Sequence, residues 1–156
     1  MRAFHLSWQA TLLVLSVATP AAAQEPEWLT GQSDNGVEMM YGTPASDDIL
    51  FAIRCDAKTK ELFVGFAHEP VGVPHGGSID LTLFSEAGEV VLPAKVSYLD
   101  AMDITLIESK TVPAEELRKI VTEGTVLSVM VQDGVEEIPI KGMALNFSTL
   151  FSACED

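Results

Sequence analysis

Two histidines, a few carboxylates and two cysteines hold most of the chemistry that this sequence could perform. From Gln24 onward the histidines are His68 and His75, with Glu69 beside the first, in the Pro/Gly-rich stretch 69–77 (EPVGVPHGG). Two imidazoles and a carboxylate around one loop could begin a metal site. Zinc, however, needs further ligands at spacings that helices or hairpins deliver, and none of those spacings is present. Copper could recruit Met39 or Met40, but nothing in the sequence draws them towards the histidines. The expectation is no metal and no cofactor, with His68, Glu69 and His75 as candidate binding residues on a surface loop, since long loops on rigid sheets are where binding groups collect.

Nucleophilic and acid–base catalysis find little support. There is no Gly-x-Ser-x-Gly, and no Ser, His and Asp fall at a spacing that implies a triad. The acidic pairs Asp47-Asp48, Glu115-Glu116 and Glu136-Glu137 sit at turns and element ends, where adjacent carboxylates are solvated. Asp34-Asn35-Gly36 with Glu38 has the start of a calcium loop but not its repeat of oxygen ligands. Asn146-Phe147-Ser148 matches a glycosylation sequon in a helical setting, where chance explains it. These residues predict no catalytic group and a chain that is not an enzyme.

The cysteines are more telling. Met1-Arg2, the apolar run 10–18 (ATLLVLSVA) and Ala21-Ala22-Ala23 have the order of a secretory signal peptide, residues 1–23, cleaved after Ala23. A periplasmic or secreted location is therefore expected, and there cysteines oxidise. Ile49, Phe51, Ile53 and Cys55 alternate with Leu50, Ala52 and Arg54, so Cys55 shares a strand face with three large apolar residues. Met143, Phe147, Leu150, Phe151 and Cys154 recur at helical spacing, so Cys154 lies on the apolar face of a terminal helix. Both sulfurs point inward, which predicts a Cys55–Cys154 disulfide tying that helix to the sheet. No Cys-x-x-Cys suggests redox chemistry.

The elements that must position these residues are mostly strands. An edge strand is expected near Gln24–Gly31, then strands over 37–41, 49–55, 62–66, 79–83, 90–92, 96–99, 104–107, 125–131 and 135–140, joined by turns such as Asp133-Gly134. Pro93 predicts an edge or bulge just beyond residue 92, and Pro139 an edge strand. Pro113, Glu115, Glu116 and Gly124 frame a helix whose buried stripe is Leu117, Ile120 and Val121. Together these predict one β-rich domain over 24–156, an antiparallel β-sandwich or open barrel with two short helices. Phe63 faces away from Leu62, Val64 and Phe66, so it is either covered by a second sheet or exposed as a binding aromatic.

Charge narrows the partners. From Gln24 on, eight Lys and Arg stand against 23 Asp and Glu, a net −15. That balance repels nucleic acid and anionic lipid. No second apolar run is long enough to span a membrane, so no membrane insertion is expected. A protein partner remains, with the chain itself a monomer or weak oligomer.

The segment Ile49-Leu50-Phe51-Ala52-Ile53-Arg54-Cys55, the polar turn with Thr59, Leu62-Phe63-Val64 and the C-terminal Gly142, Ala144-Leu145, Leu150 and Ala153-Cys154 carry a resemblance. Over about residues 49–68 and 135–154 they resemble the C-terminal domain of the VasI/TagO family, periplasmic proteins associated with type VI secretion. The resemblance implies a β-rich domain bracketed by an Arg-Cys strand and an Ala-Cys helix, and a non-enzymatic, envelope-accessory role. Net charge suggests a different class, an acidic proteinaceous inhibitor of a basic hydrolase such as lysozyme. Against it, no Ser-Gly-x-x-Tyr segment is present.

Overall fold

The alternation read from the sequence becomes nine antiparallel strands in a single sheet. The computed structural model describes residues 24–33, 35–100 and 103–155, so the expected signal peptide and Asp34 lie outside the described residues. In chain order the elements are β1 (Glu27–Ser33), β2 (Gly36–Gly42), β3 (Ile49–Asp56), β4 (Leu62–Ala67), β5 (Ser78–Ser85), β6 (Gly88–Leu99), β7 (Ile104–Ser109), α1 (Ala114–Glu123), β8 (Val126–Val131), β9 (Gly134–Pro139) and α2 (Ala144–Glu155). In space the strands run β1-β2-β3-β4-β7-β6-β5-β8-β9. The sheet curls into a half-barrel, the open-barrel form of the expected architecture.

One face of every inner strand builds the core. Met39, Phe51, Ile53, Val64, Phe66, Leu81, Leu83, Leu92, Ile107, Leu127 and Val129 are fully buried, and both helices pack on this same face. α1 lies against β5 and β6, and α2 against β2 and β3. The stripe Leu117, Ile120 and Val121 is buried as its spacing predicts, and α2 contributes Phe147, Leu150 and Phe151. Pro113 stands one position earlier than expected, as the cap rather than the first helical residue. Gly124 ends α1 for a steric reason: a Cβ there would lie 2.6 Å from the Ile120 carbonyl oxygen and 2.7 Å from the Ser85 hydroxyl.

Strand order explains the Pro/Gly-rich loop. β4 and β5 are neighbours in sequence but have β7 and β6 between them. At about 4.8 Å per strand, the connection must travel roughly 14 Å across one end of the sheet. The stretch 69–77 makes that crossing. α1 makes the equivalent crossing at the other end, carrying the chain from β7 past β6 and β5 to β8.

Pro93 corrects the expected break. It lies inside one continuous twelve-residue strand, β6, that is flanked by β5 and β7. Pairing with β7 begins only at Lys95, so at Pro93 the strand has its ladder partner, Asp80 of β5, on one side alone. A missing N–H costs nothing there, and the Ser109 hydroxyl donates to the Pro93 carbonyl at 2.9 Å. Pro139 ends β9, which is an edge strand as predicted.

Trp28 closes the curl. It sits in edge strand β1, yet its Nε1 donates to the Pro139 carbonyl of the opposite edge strand, β9, at 2.7 Å. Its ring packs 5.0 Å from Phe147 and 6.3 Å from Phe51, both edge-on. The helix that fills the curl is thus in contact with the residue that joins its two rims. The expected Cys55–Cys154 disulfide is present, with Cα atoms 5.6 Å apart and Cys55 completely buried. Among the described residues no helix is long and apolar enough to cross a membrane.

Candidate functional site

The two histidines of the crossing loop are turned to different neighbours. His68, just after β4, stacks on Phe66 with ring centroids 5.4 Å apart. Its Nε2 lies 3.2 Å from a carboxylate oxygen of Asp133, in the β8–β9 turn. The other Asp133 oxygen accepts from the Val71 N–H at 2.6 Å, and the Gln132 amide donates to the Val71 carbonyl at 2.8 Å. His75 instead uses Nδ1 to accept from the Tyr98 N–H at 3.1 Å, at the end of β6. Glu69 is exposed between them. So the loop is fastened at both ends, and the imidazoles do not converge on one point. Among the described residues no three metal-ligating side chains cluster.

These contacts perturb the acids involved. The Val71 N–H, helped by His68, holds the Asp133 carboxyl below its ordinary value of 3.8. The Tyr98 phenol donates to Asp103, and that bond keeps its proton on to higher pH than usual. A folded-state value that is depressed adds stability above the unfolded value, which is lost as pH falls through the folded one. The melting-temperature gap between the protein and Asp133→Asn is therefore full above about pH 4 and closes on acidification. A gap that is absent at neutral pH, or that widens in acid, would contradict the fastening role of Asp133.

The outer face of the sheet is where unsatisfied chemistry remains. Phe63 of β4 is half-buried there, and among the described residues no second sheet covers it. Arg54 of β3, directly across the strand pair, places its guanidinium carbon 4.8 Å from the Phe63 ring centre. The ammonium of Lys110, just past β7, lies 5.7 Å from the same ring. Such cation–ring contacts hold a charge in place without neutralising it. Lys95 of β6 projects from the same face, opposite Glu108 in the ladder. Among the described residues the ion pairs within 4.0 Å are His68–Asp133 and Arg118–Glu155, so Arg54, Lys95 and Lys110 have no carboxylate at that range.

Lys110 and Thr111 form the ridge between two clefts. The first, about 1080 Å³, is lined by Ser78, Asp80 and Thr82 of β5, Pro93 and Lys95 of β6, and Met130 and Gln132 at the end of β8. The second, about 350 Å³, brings Lys60 and Arg118 to the other side of Lys110. Phe63 was legible as an outward aromatic from its parity. The basic residues around it were not singled out by sequence, although Arg54 already alternates with the core and Lys110 shares the outward parity of Leu106 and Glu108. No protein-family model, curated protein or solved structure matches the chain.

Proposed function

We propose that the chain is an exported, non-enzymatic binding or envelope-accessory protein that engages a protein partner through the outer surface of its curled sheet. The observation that carries this reading is a filled interior beneath an uncovered outer face. Curled sheets of comparable strand number that carry small molecules keep room inside. Here Phe51, Phe66, Phe147, Phe151 and Met39 occupy that space and are almost wholly shielded from solvent. Recognition then falls to the surface, on a frame stiffened by the disulfide and the fastened loop. The resemblance to VasI/TagO domains agrees with an accessory role, and the disulfide agrees with export.

A second reading, an acidic inhibitor of a basic hydrolase, rests on the net charge and on exposed Glu136 and Glu137 along edge strand β9. The two readings separate in one pair of measurements. Cross-linking of the protein in intact envelopes, read by mass spectrometry, is expected to enrich one envelope complex, while lysozyme retains full activity in its presence. Salt-sensitive inhibition of lysozyme, with no envelope complex recovered, would replace the first reading by the second.

A further inference from the structure

We infer that the larger cleft, bounded by Lys95 and by the ridge at Lys110, with Arg54 and Phe63 beside it, is the docking groove for an extended acidic segment of a polypeptide partner. The inference rests on the binding-protein reading above and specifies the chemistry of its ligand. Its first support is charge segregation. Five of the eight basic residues from Gln24 onward (Arg54, Lys60, Lys95, Lys110 and Arg118) line or adjoin the two clefts that meet at Lys110. The larger cleft is lined by Lys95 and Lys110 against one carboxylate, Asp80, a lining net positive by one on a chain that is −15 as a whole; Glu108 adjoins Lys95, and Glu38 and Asp56 adjoin Arg54.

The second support is preorganisation. Arg54 and Lys110 are held over one phenyl ring and, among the described residues, face no carboxylate at ion-pair range. Charges already ordered and unpaired lose little on meeting an anion. The third is the cleft lining, where the Pro93 ring and Met130 side chain lie beside Thr82, Ser78 and Gln132. Apolar and hydrogen-bonding groups side by side suit a peptide that carries both acidic and apolar side chains. A densely charged polyanion would meet the repulsion of the whole molecule, whereas a few carboxylates at this ridge meet chiefly the local field, because screening limits its reach to roughly 8 Å at physiological salt.

The test uses the oxidised protein purified after export and a fluorescein-labelled peptide of alternating Glu and Val, followed by anisotropy. The peptide is expected to bind, to weaken with added salt, and to lose about tenfold in affinity with Lys95→Glu/Lys110→Glu. Lys119→Glu/Lys141→Glu changes net charge equally at exposed positions outside the larger cleft and is expected to change affinity less than about twofold. Unchanged melting temperatures show that both variants fold. No binding, equal loss in the two variants, equal binding of a Lys/Val peptide, or tighter binding of heparin would each overturn the inference. An envelope partner still captured by Lys95→Glu/Lys110→Glu would also overturn it, while leaving the binding-protein reading in place.

Discussion

Cys154→Ser is expected to lower stability by about 4–5 kcal/mol, the largest single effect in this molecule. The bond closes a loop between residues 99 apart, and cross-links across so long a segment remove much of the unfolded chain's freedom. Its native-state role adds to this. α2 is twelve residues long, about three turns, and a helix of that length is marginal on its own in water. Phe147, Leu150 and Phe151 hold it to the core, while the disulfide, Lys60 Nζ on the Ala153 carbonyl and the Arg118–Glu155 pair hold its last turn. Removing the cross-link leaves only weak, exposed contacts at that end. A fall in melting temperature of roughly 15 °C is expected for a chain of this size. Reduction of the unaltered protein should reproduce it. Equal midpoints for oxidised and reduced protein would show that α2 needs no staple.

Trp28→Ala is expected to cost about 3 kcal/mol, near the lower end for loss of a large aromatic because this ring is only half-buried. The indole does two jobs that substitution can separate. Its ring fills space against Phe147, Phe51 and Tyr41, and its N–H joins β1 to β9 across the gap in the curl. Trp28→Phe keeps most of the packing and gives up the hydrogen bond, a loss of about 1 kcal/mol. Because Trp28 is the sole tryptophan after residue 23, its emission reports on this seam alone in protein that begins at Gln24. A red shift that coincides with global unfolding is expected. If Trp28→Ala melts with the parent, the seam contributes nothing and the half-barrel is held by its ladder and core.

Local periodicity made much of this fold legible. The β3–β4 hairpin, the buried stripe of α1 and the inward sulfurs of Cys55 and Cys154 all follow from residues within one turn or one strand of each other. What stayed hidden depends on partners distant in sequence. Nothing in residues 62–67 announces that β4 pairs with β7 rather than with β5. The crossing role of the loop comes from that order, and so does the work of its histidines. As residue types they read as solvated handles; the fold sets His68 against Asp133 and His75 against the Tyr98 N–H. Pro93 shows the same limit, since the proline rule concerns a strand paired on both sides and β6 is paired on one side there. The groove at Lys110 was hidden for a further reason. Arg54 of β3, Lys95 of β6 and Lys110 just past β7 become close only through the order β3-β4-β7-β6.

The central claim, that this is a binding protein working through its outer face, is tested most directly by site-specific photo-cross-linking in living cells. A photoreactive residue placed at Thr111, on the ridge between the clefts, is compared with one at Val71, the exposed tip of the crossing loop. A discrete adduct with one envelope protein is expected from position 111, abolished when Lys95 and Lys110 are changed to Glu, and no such adduct from position 71. No adduct from position 111, or an adduct there that persists in the charge-reversed variant, would contradict the claim.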